Sequence, residues 1–178
     1  KPDTIFYTQT GNQSNFNVSS PSRDDDAITA ALSALQLNEI RHFVPLNDLL
    51  VLTSGSEWKI NAGTDVGFSI TTLRQTPQTY IGSSHVPPLI CGPSVLFVQN
   101  RGSIIRNLGY ALESDSYVGG DLTILSSHLF EDKTVTEWAY QQIPHSMIWV
   151  VRTDGKLLVL TYNKEQEVVA WTRHETLG

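Results

Sequence analysis

The sequence predicts an all-β fold made of antiparallel meander sheets, and three observations carry that expectation. The first is the stretch from His145 to Glu175, where apolar runs at Met147–Val151, Lys156–Thr161 and Glu167–Thr172 are rich in Val, Ile, Leu, Trp and Tyr. These side chains fit a pleated, half-buried surface. Asp154-Gly155 separates the first two runs and reads as a two-residue type I′ hairpin turn. Asn163-Lys164-Glu165-Gln166 makes a longer polar turn before the third. The second observation is composition. Only 17% of residues are charged, and Ser, Thr and Asn are frequent, where a helical protein draws on Glu, Lys and Ala. The third is a recurring unit of apolar strand, glycine turn and returning strand. It occurs at Leu49–Leu52, Val95–Val98 and Ile148–Val151, with turn glycines Gly55, Gly102 and Gly155 spaced 47 and 53 residues apart. That spacing is near the ~40–50-residue period of propeller blades. The same strands also suit a β-sandwich.

Taken in order, Thr4–Thr8 reads as a short strand, and Gly11–Ser22 as a polar loop tacked down by Phe16 and Val18. Arg23-Asp24-Asp25-Asp26 reads as a solvated turn. A carboxylate run can attract a hard cation, but this spacing is not that of a calcium loop, and adjacent Asp side chains diverge on an extended chain. Ala27–Glu39 is open between helix, by its Ala, Leu and Gln content with Asp26 as N-cap, and strand, by the alternation of Ile28, Ala30, Leu32 and Ala34. Ile40–Pro45 alternates as a strand that Pro45 ends or places on an edge. Leu49–Thr53 is a buried strand and Glu57–Ile60 its return. Asn61–Gly67 is a loop, Phe68–Gln75 a strand, and Thr76–Pro88 irregular. Leu89–Cys91 leads through Gly92-Pro93 into a strand at Ser94–Gln99, which returns over Ser103–Tyr110. Leu112–Gly120 is a loop. Asp121–Glu131 places Leu122, Leu125, His128 and Leu129 at helical spacing behind Asp121 as N-cap, which predicts one short helix. Val135–Gln141 is a strand ended by Ile143-Pro144.

The 178 residues suit one domain, with room for a second small one, and bury a core without staples. We expect a single β-rich domain over 1–178, with 1–26 a loop-rich N-terminal segment. Net charge is −6, which disfavours general nucleic-acid binding. Cys91 is the one cysteine, so no intrachain disulfide forms; it reads as a small buried hydrophobe. No window approaches the ~18 uninterrupted apolar residues of a membrane span, so no membrane insertion is expected. The chain shows no signal-peptide pattern, lacks an initiating Met and stops after a strand-like segment; the expectation is an interior fragment of a longer polypeptide.

Chemistry-bearing motifs are sparse. There is no phosphate-binding loop, dinucleotide glycine pattern or G-x-S-x-G elbow. His42, His85, His128, His145 and His174 show no i, i+4 pairing on a helix and no neighbouring Cys, which argues against a zinc site. Cys91 precedes Gly-Pro at a hairpin, not the helix N-terminus that would activate a thiolate. Glu113, Asp115, Asp121 and Glu137 are the carboxylates available to a polysaccharide hydrolase, which needs two of them facing across a cleft; solvated loop acids are the plainer reading. Trp58, Trp138, Trp149 and Trp171 suit a sugar-stacking platform, but all sit in strand-like runs, where packing is the plainer role. No catalytic, cofactor-binding or metal-binding residue is assigned, and no cofactor is expected.

Four segments carry a resemblance: GNQSNFNVSSPSRDDDAITAAL, IRHFVPLNDLLVLTSGSEWKI, VLFVQNRGSIIRNLGYALESDSYVGGDLTILSSHLFE and AYQQIPHSMIWVVRTDGKLLVLTYNKEQEVVAWTRHET. Together they resemble bacteriophage and prophage tail proteins related to the tail nozzle (tail tubular) proteins of short-tailed phages. The likeness covers nearly all of the chain from Gly11. Its most specific pieces are Leu160–Thr176 and the SDSYVGGDLTILSSHLFE region. It implies a structural virion protein with β-propeller-like regions and ring-like homo-oligomers, assembled in the bacterial cytoplasm. Its implied partners are other tail proteins and copies of itself, with a host-surface glycan as an alternative ligand. It offers no catalytic residue to carry over, and it implies a strand across Ala27–Leu35.

Overall fold

The computed structural model describes residues 1–34, 37–63 and 67–175. The fold is all-β with antiparallel meander sheets, as the sequence predicts. The chain divides into two compact units, residues 1–82 and 83–178.

In the first unit β1 (Thr4–Tyr7) and β2 (Ile28–Ala31) form a hairpin-like pair, with Ile5 opposite Ala30. Strands β3 (Ile40–Pro45), β4 (Leu49–Thr53), β5 (Glu57–Asn61) and β6 (Arg74–Thr79) then form a sheet in chain order. Ile5 from β1 and Leu32, just after β2, pack with Val51, Trp58 and Ile60 from the sheet. The strand reading across Ala27–Leu35 is met only at Ile28–Ala31; Leu32–Ala34 lie past the strand, and Leu35 lies outside the described residues. Pro45 sits on an edge strand, where its missing N–H removes no interior ladder bond. Leu50, Val51 and Leu52 are all fully buried, which explains a continuous apolar run where alternation would otherwise be expected.

The strand expected at Phe68–Gln75 is corrected. Ser69–Thr72 is a turn: the Thr72 hydroxyl accepts from the Ser69 N–H at 2.9 Å and donates to the Gly67 carbonyl at 2.7 Å. Such side-chain bonds offer the backbone an alternative to a ladder. The strand instead runs through Arg74–Thr79, sharing only Arg74 and Gln75 with the expected strand and continuing into the stretch expected to be irregular, and Pro77 is tolerated because β6 is an edge. The unit closes on buried Glu57, whose carboxylate accepts from the Thr79 hydroxyl and the Ile81 N–H. Gly82 has φ +82, and a Cβ there would collide with the Ser54 carbonyl, so only glycine fits.

The second unit holds two four-stranded meanders. One comprises β7 (Leu89–Cys91), β8 (Ser94–Val98), β9 (Ile105–Ala111) and β10 (Ser116–Val118). The other comprises β11 (Val135–Gln141), β12 (Met147–Arg152), β13 (Leu157–Asn163) and β14 (Val168–His174). They share one core: Leu96, Val98 and Ile105 pack with Val135, Trp138, Ile148, Val150, Leu158 and Leu160. The first strands, β7 and β11, approach each other, and the Trp138 indole donates to the Pro87 carbonyl at 2.6 Å.

Three further expectations are corrected here. Leu112–Gly120 is not all loop, because β10 pairs Tyr117 with Tyr110. The expected helix at Asp121–Glu131 is a 3₁₀ segment over Ile124–Leu129, broken at Ser126. Asp121 is not its N-cap: it bridges to Arg106, and its carboxylate accepts from the Thr123 N–H at 2.7 Å and hydroxyl at 2.6 Å. Leu122 and Phe130 are buried at the two ends while Leu125 is 90% exposed, so no continuous apolar stripe exists to hold an α-helix. The Asp154-Gly155 turn is not type I′, since Gly155 has φ +77 but Asp154 is not in the left-handed region. The Gly155 N–H donates to the Arg152 carbonyl and the Arg152 N–H to the Lys156 carbonyl, which makes a three-residue loop with a glycine bulge.

Candidate functional site

The residues with chemical potential are mostly committed to structure. Cys91 is 6% exposed within the second unit's core, and burial pushes its thiol up to about 11, which suppresses the thiolate a nucleophile requires. His85, His128, His145 and His174 are exposed, and His42 is half-buried on β3. Among the described residues no three His, Cys, Asp or Glu side chains gather into a metal-holding group.

The four candidate carboxylates lie in different settings. Asp115 accepts from the Tyr110 hydroxyl at 2.7 Å, and Glu113 sits on the exposed 3₁₀ turn beside it. Glu137 is exposed on β11. Asp121 alone of the four lines an open hollow of about 720 Å³, with Arg101, His128, Glu131, Asp132 and Lys133 around it. Its bonds to Thr123 fix it as a turn former. The hollow therefore gathers mixed charge around a carboxylate already occupied. In the Arg23–Asp26 run, Asp26 turns inward instead of into solvent. It accepts from the Arg23 N–H at 2.7 Å, the Ser19 N–H at 3.0 Å and the Ser19 hydroxyl at 2.8 Å. The backbone bond from Arg23 leads the causes that hold its carboxyl below the usual range. Asp24 and Asp25 line a separate shallow hollow with Thr10 and Ser69.

The tryptophans do not form one platform. Trp58 is 4% exposed and donates to the Ser56 hydroxyl at 2.8 Å. It walls a hollow of about 230 Å³ with Gln75, Pro77 and Tyr80, where the buried Gln75 amide nitrogen has no hydrogen-bond partner among the described residues. Trp138 and Trp171 face the second unit's core, Trp171 donating to the Leu122 carbonyl at 2.8 Å and meeting the Phe130 ring edge-on at 4.9 Å. Trp149 points to the opposite face of the same sheet, bonded to Gln141 at 2.8 Å and lying against His174.

That opposite face is the most distinctive surface. Period-2 alternation puts Ile148, Val150, Leu158 and Leu160 in the core and so sends their neighbours the other way. Cross-strand register lines up Ala139, Trp149, Val159 and Thr172, then Glu137, Val151, Leu157 and His174, then Gln141, Met147, Thr161 and Ala170, so an apolar centre on β12 and β13 is flanked by polar residues. Val159 is buried, whereas Ala139 and Ala170 are exposed and Met147, Trp149, Val151 and Leu157 are half-buried. Sequence reasoning missed this face because it read each apolar run as core; the available signal was that β12 and β13 are apolar on both parities. No protein-family model and no curated protein sequence matches the chain.

Proposed function

We propose that the chain is a structural component of a bacteriophage or prophage tail, acting through subunit–subunit assembly in the virion. Its three meander sheets are β-propeller-like blades in this reading, and its partners are other tail proteins and copies of itself. One observation carries the proposal: three successive four-stranded meanders, the last with an apolar face outside the core. Contiguous apolar surface of this kind marks interaction sites. Approach of the first strands β7 and β11 also suits blades converging on an axis. The sequence resemblance supplies the biological setting, a tail assembled in the host cytoplasm.

The test is electron microscopy of purified virions with an antibody raised to this segment. Labelling at the tail is expected, and labelling absent from the tail refutes the role. A second reading, a receptor- or glycan-binding module, has in its favour the hollow where Tyr80, 74% exposed, stands beside the Gln75 amide nitrogen, which has no hydrogen-bond partner among the described residues. A glycan array without binding above background removes it.

A further inference from the structure

A sheet edge presents a row of unpaired N–H and C=O groups, and proteins blunt such edges with prolines, bulges or short strands. Five of the six outer strands in the three four-stranded sheets are blunted in these ways. β3 carries Pro45 and a register shift between Ile40 and His42. β6 carries Pro77 and pairs with β5 through another shift. β7 and β10 have three residues each, and β11 is shifted between Val135 and Glu137. β14 has none of these features. It runs for seven residues without proline or glycine, in unbroken register from Asn163–Val168 to Leu157–His174, and Val168 and Val169 are 38% and 41% exposed.

We propose that β14 pairs with β14 of a second copy of this chain, antiparallel about a two-fold axis at Ala170, fusing two sheets into one of eight strands. The strand's own sequence selects that occupant. A two-fold axis normal to the sheet keeps every residue on its own face, so only residues of like parity face each other. The register centred on Ala170 sets Thr172 opposite the partner's Val168 and Trp171 opposite the partner's Val169, each pair made twice, and brings Arg173 at the ladder's end beside the partner's Glu167, the turn residue with φ +55 that precedes β14. Opposite-charge and aromatic–β-branched pairs are the favourable cross-strand combinations. Centring on Trp171 instead brings Glu167 and the partner's Glu175, which flank the two ends of the strand, together as like charges. Arg173 is 51% exposed and pairs within its own chain with Glu175 at 2.9 Å; an exposed pair of that kind contributes little alone and leaves the guanidinium able to reach across. Trp171 is already fixed on the core side by Leu122 and Phe130, so it needs no reordering to receive the partner's Val169. This pairing is argued from β14 alone and does not depend on the tail reading.

Sedimentation equilibrium of the chain, up to several hundred micromolar, tests it. A small interface of this kind predicts weak association that reaches two chain masses within that range and no more. Arg173→Glu and Glu167→Arg each turn both crossed pairs into like charges and weaken self-association by about tenfold or more. An equimolar mixture of the two variants recovers the wild-type affinity, because every crossed pair is then of opposite charge, and that recovery also shows both variants folded. A chain that stays monomeric throughout overturns the proposal. So does self-association that the single variants leave unchanged, or a mixture that associates no better than either variant alone.

Discussion

Leu160 lies at the centre of β13, fully buried, with Ile148 opposite it on one side and Trp171 on the other. Truncation in Leu160→Ala removes three carbons, about 2.4 kcal/mol of transfer free energy at ~0.8 kcal/mol per buried methylene. The flanking strands hold their side chains in a hydrogen-bonded register, so the void collapses only in part and the cavity contribution brings the loss to about 3–4 kcal/mol. Val168→Ala on β14, 38% exposed, provides the contrast and costs about 0.5 kcal/mol or less. The assay is urea unfolding followed by tryptophan fluorescence. Trp138, Trp149 and Trp171 all report on residues 83–178, and a Trp58→Phe background confines the signal to them. With a slope of ~1 kcal/mol/M for a unit of this size, the Leu160→Ala midpoint falls by about 3–4 M. A loss under about 1 kcal/mol, or a Val168→Ala cost as large as that of Leu160→Ala, refutes the assignment of Leu160 to a closely packed shared core.

Glycine substitutions separate conformational cost from steric cost. At Gly155, φ +77 with open space around the Cβ position, alanine costs about 1 kcal/mol; at Gly102, φ +80 with Thr134 Cβ only 2.9 Å away, it costs more than twice that, read as midpoint shifts in the same titration. The Cys91 thiol at about 11, against an ordinary 9.0, reacts with a disulfide reagent at pH 8 about 100-fold more slowly than unfolded chain. Because that folded value and the Tyr7 value, raised to about 12 by burial, both lie above the ordinary ones, their contribution to stability is intact below pH 9 and lost as pH rises through 9 to 12, which alkaline melting curves measure. Asp26 has the opposite sign: its carboxyl is held below 3.8, so its anchoring of residues 19–26 is present above that pH and is lost as pH falls through the lower folded value. Hydrogen exchange at the Ser19 and Arg23 amides quickens in Asp26→Ala, and unchanged protection there contradicts the anchoring role.

The legible part of the fold is the part written in apolar side chains. Leu49–Thr53, Ser94–Val98, Val135–Gln141 and the closing meander announce themselves because their burial comes from their own side chains. Arg74–Thr79 does not, since RQTPQT is a strand by virtue of backbone bonds to β5 and carries no periodic apolar signal. Helical spacing at Leu122, Leu125 and Leu129 misled for the converse reason: spacing shows which residues share a face only if a helix exists, and the Asp121–Thr123 bonds prevent one from starting. The turn at Asp154-Gly155 was legible as a turn but not as a type, because the type depends on the φ of Asp154. As for the candidate site, Asp26 was visible as a charge and invisible as an anchor, because its donors Ser19 and Arg23 are recruited by a loop conformation that no local pattern encodes. The run Val168–His174 reads as a strand from its side chains, yet its bearing on pairing has meaning only once β14 is known to be an edge.

The contact of Gly82 with the Ser54 carbonyl has a practical consequence for dissecting this chain. Residues up to Gly82 are tied back to the β4–β5 hairpin through Glu57 and Ser54, whereas the Ser84 N–H already donates to the Val98 carbonyl and Pro87 accepts from Trp138. Thr76–Pro88, the stretch that reads as irregular in the sequence, is therefore the wrong place to cut by eye. Boundaries drawn at residue 76 or 88 would strip either half of its own fastenings, and expression of separate pieces should break the chain at the peptide bond between Gly82 and Ser83.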